Sequence, residues 1–294
     1  MTGKKQRITP YFVITAILLV LLAIFFLFPL YWIVTGSVKE KSDIIIKAGE
    51  SVKWIPTTIS WDNFARLFKS QTTLFGIDMP MAIRWLFNSV FISIVAMILT
   101  CFSASLAGYA LAKKRFWGRG FIFSLFVCAM ALPKQVILIP LLREMSILHL
   151  VDTTWGSIFA VVFPVVGWPF GVFLMKQFSE GIPSSLLEAA RIDGAGEVKT
   201  FMNVALPIIQ PGIGALAIFT FINAWNEYPL QLIMLSKTEA KTIALGIAGL
   251  QSEMSNDFGL IMAGAALAAV PIILVFLAFQ KYFTQGITMG AVKG

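Results

Sequence analysis

Six long apolar runs, separated by short polar and charged stretches, dominate the chain. They cover about 11–37, 85–112, 120–142, 153–175, 204–235 and 258–283. About 20 residues rising roughly 1.5 Å each suffice for a helix to cross roughly 30 Å of hydrocarbon, and every run meets that length. The first two contain no charged residue, the third is interrupted by Pro133, Lys134 and Pro140, and the fourth holds Pro164 and Pro169. A backbone in hydrocarbon must satisfy its own hydrogen bonds, and no run shows the strict alternation of a barrel strand. The pattern therefore predicts an all-α, polytopic membrane protein with about six transmembrane helices. Internal prolines fit that reading, because neighbouring helices can satisfy the carbonyls they free.

The runs organise the rest. A single transmembrane domain over 1–294 is expected, with an outer loop at 39–84 and a cytoplasmic loop at 179–203. The first run is much longer than the roughly 7 to 15 apolar residues of a secretory signal, so it is expected to stay as an anchor. Lys4, Lys5 and Arg7, then the dense cluster Lys113, Lys114, Arg115 and Arg119, then Lys176, Arg191 and Lys199, then Lys281 and Lys293 fall on one side. The 113–119 cluster places that side, with both termini, in the cytoplasm of a cell-membrane protein. In the outer loop, Ser60 is expected to cap a short helix whose Trp61, Phe64, Leu67 and Phe68 share one face.

Composition narrows the function classes. The chain is 58% hydrophobic and 13% charged, against roughly 45–50% and 25% in soluble domains. Its net charge of +8 comes from residues flanking apolar runs, which points to lipid headgroups and away from nucleic acid. Cys101 and Cys128 lie inside runs and His149 is the sole histidine, so no metal site is expected.

The loop before the fifth run has legible local physics. Ser185 and Glu188 have capping-box spacing, and Gly194 suits a left-handed C-terminal cap, which predicts a short helix fenced at both ends. Glu188, Ala189 and Ala190, with Gly194 and then Leu206-Pro207 at their spacing, resemble the EAA loop of ATP-binding-cassette importer permeases. Val204 stands where that family usually has Ile. The stretch Ala107 to Ala112 before a basic cluster, Ala224 to Tyr228, and the ending Thr288 to Gly294 resemble the carbohydrate-importing branch, permeases like the shorter membrane subunit of the maltose transporter. The resemblance covers essentially the whole chain.

It implies a type I importer architecture and a set of partners: a second, similar permease subunit, two ATP-binding cassette subunits holding ATP and Mg, and an extracytoplasmic solute-binding protein delivering a sugar or oligosaccharide. It further implies that the short helix docks on an ATPase subunit through Glu188, Ala189, Ala190 and Gly194, with Arg191 and Asp193 as polar contacts. The blander reading is a solvated hairpin. The sequence has no Gly-x-x-x-x-Gly-Lys-Ser/Thr loop, so no cofactor is expected in this chain, which is a transport subunit and not an enzyme.

Polar groups inside the runs are candidates for a substrate path, since a central charge costs about 2.5–3.5 kcal/mol on insertion scales. Asn223, Asn226 and Glu227 would share one face of an unbroken fifth helix, with Phe219 and Gln231 a turn to either side. Amides and a carboxylate beside aromatic rings suit sugar hydroxyls; the same residues would equally serve as glue between helices. Lys134 either lines the path, favouring an anionic sugar, or snorkels to the interface. Ser103, Ala104, Ser105 and Gly108 are expected as packing surface. The alternative from another class is a self-sufficient ion-coupled secondary transporter with Glu227 and Lys134 as coupling groups, which an internal inverted repeat would favour; none is visible.

Overall fold

The computed structural model describes residues 10–45, 51–253 and 257–291, with backbone alone at 252–253 and 281–291. The basic residues Lys4, Lys5 and Arg7 and the final residues including Lys293 lie outside the described residues.

Four helices are continuous, long and apolar enough to cross a membrane: α1 (Pro10–Ser37), after the short α2 (Lys41–Ile44) and α3 (Asp62–Leu67) the long α4 (Met81–Lys113), the helix Glu197–Trp225, and Phe258–Gln280. Two further pairs are bent. The helices α5 (Arg119–Met130) and α6 (Lys134–Ile147) meet at 105°, and α7 (Thr154–Val166) and α8 (Pro169–Glu180) at 43°; counting each pair as one span gives six. Proline places both bends. Pro133 lacks an N–H and disfavours helical angles in the residue before it, so α5 stops and α6 starts afresh. Gly167 and Trp168 similarly separate α7 from Pro169 at the head of α8.

The helix Glu197–Trp225 is composite. The short α10 (Glu197–Thr200) runs through one π turn, Phe201–Ala205, into α11 (Leu206–Trp225). The widened turn immediately precedes Pro207, which has no amide to continue the ordinary ladder. The remaining elements are α9 (Ser184–Ile192), α12 (Tyr228–Met234), α13 (Ile243–Glu253) and α14 (Phe258–Ala291). The hydropathy pattern predicts neither α13 nor the one hairpin among the described residues, β1 (Gln71–Leu74) and β2 (Ile77–Pro80). Positive φ at both Phe75 and Gly76 makes the hairpin turn, and the exposed Phe75 ring stacks on Trp155 at 5.3 Å.

Contacts divide the chain into two compact units. One comprises residues 1–71 with 247–267. In it the loop after α1 is tied down by buried polar groups. Lys39 donates to the Lys53 carbonyl (2.5 Å) and lies over the Trp32 ring (4.3 Å), while Asn63 donates to the carbonyls of Ser37 (3.0 Å) and Lys39 (2.8 Å). The buried Asp43 accepts from Lys53 (2.6 Å) and from the Thr57 amide (3.0 Å) and hydroxyl. The helix α3 starts one residue later than Ser60 would set it, with Trp61 at the N-cap; the Ser60 hydroxyl accepts from the Asp62 amide at 3.3 Å.

The other unit, 72–246 with 268–294, is built on α4, α8 and α11. Its buried residues form two clusters, one around Ile92, Val161 and Met234, the other around Tyr109, Met175 and Ile209. Close approach is possible because Gly108 of α4 has no side chain: a Cβ there would lie 2.6 Å from the backbone of Met175 and Lys176 on α8. The first turns of α4 also grip the segment after α12. Asn88 donates to the carbonyls of Glu239 (2.8 Å) and Lys241 (2.9 Å), and Ser89 accepts from the Ile243 amide (2.9 Å).

Two outcomes follow. Gly108→Val should lower the thermal midpoint of the protein in detergent, by a destabilisation of about 1–3 kcal/mol or more, because the obstacle is backbone and cannot rotate away. In the loop after α1, hydrogen bonds from Lys53 and Thr57 hold the Asp43 carboxyl well below the usual carboxylate range. A depressed folded-state pKa gives stability that is complete above the unfolded value and fades as pH falls through the folded one. Amide exchange across 51–60 should therefore stay slow down to about pH 4, and Asp43→Asn should speed it at neutral pH.

Candidate functional site

Two places gather the candidate residues, and the helices on either side of the α9 loop join them. The first is the loop after α8. The helix α9 starts at Ser184 behind Pro183, whose side chain makes no cap, so Ser185 sits inside the helix and makes no capping bond with its partner in the predicted box, Glu188. Proline fixes its own φ near the value that leads into a helix, so this start is set by Pro183 instead. The end agrees with expectation. Gly194 has φ +79°, its amide donates to Arg191 (3.0 Å), and the Ala195 amide reaches back to the Ala190 carbonyl (2.9 Å). These two bonds form a Schellman stop.

One residue roots α9: Leu187 is buried in the cluster with Tyr109 and Phe201. Glu188, Ala189, Arg191, Asp193 and Gly194 are exposed, with Ala190 half-buried. Beside them stand two apolar side chains that sequence reasoning did not single out, Ile192 (87% exposed) and Val198 (76%). Their signal was a bare aliphatic residue in an otherwise polar loop. The loop is also strapped to the end of α4. Lys114 pairs with Glu197, which accepts from Arg191 at 3.3 Å, and Lys113 donates to the carbonyls of Glu180 (3.1 Å) and Ile182 (2.7 Å).

The second place is a cavity of about 480 Å³ in the same unit, bordered by the breaks between α5 and α6, α7 and α8, and α11 and α12. Its lining is apolar apart from a few groups, among them Lys134, Asn223 and Glu227. Lys134 Nζ lies 2.8 Å from Glu227 Oε2 and 3.3 Å from Asn223 Oδ1. Two of the three predicted fifth-run polar residues thus meet Lys134, and the third does not join them. Helix α11 ends at Trp225, so Asn226 and Glu227 lie in the break and not on a continuous face, and Asn226 donates to its own helix at the Ile222 carbonyl (2.9 Å). Pro229 opens the next helix and accounts for the stop. Gln231 is buried and bonded to the Ala224 carbonyl (2.9 Å) and the Thr242 hydroxyl (2.6 Å).

Phe219 does not line the cavity; it meets Phe170, which does, edge to face at 5.7 Å. Trp168 lines it too, 5.0 Å from Phe170. These two rings were missed because neither lies near the polar cluster in sequence. The two places are physically continuous. The helix leaving the α9 loop has 29 residues, roughly 43 Å at about 1.5 Å per residue, and its far end delivers Asn223 and Glu227 to the cavity.

Residues 104–289 match the family described as binding-protein-dependent transport system inner membrane component. The chain is 34% identical to the arabinooligosaccharides transport system permease protein AraQ of Bacillus subtilis, with 100% of both covered. It is 32% identical to the diacetylchitobiose uptake system permease protein DasC of Streptomyces coelicolor, covering 94% of this chain and 95% of that one. With the melibiose/raffinose/stachyose import permease protein MelC of Bacillus subtilis it shares 33% identity over 90% and 91%. A solved structure of a bacterial ABC transporter involved in the import of the acidic polysaccharide alginate superposes with a TM-score of 0.75 at 20% identity, covering 96% of this chain and 100% of the other. That likeness establishes the fold.

The Schellman stop gives a local test. Gly194 has open space around its Cα, so the cost of a side chain there is conformational alone. Gly194→Ala should cost about 1–2 kcal/mol and speed amide exchange at Ala195, while Gly194→Asn, which tolerates the left-handed region, should cost distinctly less.

Proposed function

The chain belongs to the family of binding-protein-dependent transport system inner membrane components, and from that membership we propose that it is one of two permease subunits of an ATP-driven importer passing a sugar or oligosaccharide. The relatives named above carry arabinooligosaccharides, diacetylchitobiose, and melibiose, raffinose or stachyose in their names, and a shared substrate class is the economical reading. The partners in this proposal are a second, similar permease, two ATP-binding subunits with their ATP and Mg, and an extracytoplasmic binding protein. Both termini and the α9 loop face the cytoplasm.

One observation carries the reading: an exposed, capped helix is joined through a single continuous helix to a cavity at the far end. The chain then works as a lever. Closure of two ATP-binding subunits displaces α9, with Glu188, Ala189, Ala190, Arg191, Asp193 and Gly194 at the contact. Leu187 and the Lys114–Glu197 pair keep α9 from sliding on the membrane helices. The displacement passes along the helix Glu197–Trp225 and arrives where Asn223 and Glu227 meet Lys134. The small alanines permit close approach, and Ile192 and Val198 supply the apolar area an interface core needs. The subunit itself makes and breaks no covalent bond. No observation favours the ion-coupled alternative.

Purification of the tagged chain from its host in detergent should bring an ATP-binding subunit and a second permease, identified by mass spectrometry. Ile192→Asp should lose the ATP-binding subunit while the chain still inserts in the membrane and keeps its permease partner. A chain that purifies alone and drives gradient-dependent uptake in liposomes would overturn the proposal.

A further inference from the structure

The cavity carries one more inference, which rests on the permease reading. We infer that it admits uncharged glycans and rejects acidic ones, because the Lys134–Glu227 pair leaves its polar lining with no net charge. The sequence alone leaves Lys134 either lining the path and favouring an anionic sugar or snorkelling to the interface. The structure places a carboxylate against that ammonium at 2.8 Å. Glu227 is mostly buried, at 12% exposure of its side chain, and Lys134 is half exposed at 49%.

An acidic sugar entering the cavity would therefore bring its carboxylate beside Glu227, or would have to break the ion pair and strand Glu227 without its partner. Either course is unfavourable, the first through like-charge repulsion and the second because Glu227 is mostly buried. A sugar hydroxyl meets no such penalty. Glu227 Oε1 and the Asn223 amide nitrogen have no protein partner among the described residues, so the lining offers an acceptor and a pair of donors. A hydroxyl, being both donor and acceptor, satisfies each. The rings of Trp168 and Phe170 on the same wall offer apolar faces for the C–H surface of a pyranose or furanose. The ion pair thus sets charge selectivity, and the amide and rings supply the contacts.

The test uses the whole importer, purified in nanodiscs with its ATP-binding subunits, and reads ligand contact by saturation-transfer NMR at millimolar probe. The probes are xylotriose, maltotriose and raffinose as neutral glycans and trigalacturonate as the acidic one. The wild-type complex should contact at least one neutral probe, with the signal lost in Trp168→Ala, and should not contact trigalacturonate. Glu227→Gln, which unmasks Lys134, should shift the preference toward trigalacturonate by about tenfold or more. The double variant Lys134→Gln with Glu227→Gln, neutral again, should return to the wild-type preference and shows that the single variant did not merely misfold. Contact with trigalacturonate in the wild type that Trp168→Ala removes, an unchanged preference in Glu227→Gln, or no contact with any neutral probe overturns the inference. ATP-binding subunits that co-purify and hydrolyse ATP in the same sample keep the permease reading even then.

Discussion

A helix that stops within a membrane-spanning segment leaves carbonyls and amides that no water can satisfy, and this constraint decides where the chain can be irregular. It stops helices at 131–133, at 167–168 and at 226–227, and all three stops border one cavity. The freed groups are met locally. Asn226 returns to the Ile222 carbonyl, and Gln231 reaches the Ala224 carbonyl. Charged side chains that would be costly in lipid are tolerated there, and the Lys134–Glu227 pair occupies that place.

The frame around the cavity obeys a different rule. In lipid there is no hydrophobic drive to bring apolar helices together, so contact must come from close packing. Gly108 supplies it for α4 and α8, and the gripping of the 238–243 segment by Arg84, Trp85, Asn88 and Ser89 adds directional bonds at the opposite end of α4. Against this frame two helices, α8 on the way in and Glu197–Trp225 on the way out, run between the cavity and the exposed loop.

The apolar runs were legible in the chain because length and charge exclusion need no knowledge of neighbours, and Gly194 was legible because a left-handed helix stop has a residue signature. The angle between α5 and α6 was not: Pro133 marks a break, but the direction of the next helix depends on what it packs against. The Ser185–Glu188 box misled because Pro183 starts the helix two residues earlier. The face assigned to Asn223, Asn226 and Glu227 assumed an unbroken helix, whereas the chain breaks at 226–227 just ahead of Pro229. Lys134 and Glu227 are 93 positions apart, and no local pattern announces such a pair. Ile243–Glu253 and the hairpin escaped because their residues are too few or too mixed to show a period.

That separation bears on how the protein is made. A ribosome adding roughly 5–20 residues per second needs on the order of 5–20 s to travel from Lys134 to Glu227. Throughout that interval the α5–α6 segment holds an ammonium whose counter-ion has not been synthesised, and its sharp bend has no far wall. The cavity is therefore assembled late, after α11 arrives, and the nascent chain must shelter Lys134 in the insertion machinery or at a headgroup until then. A chain truncated before residue 227 leaves that charge without its counter-ion.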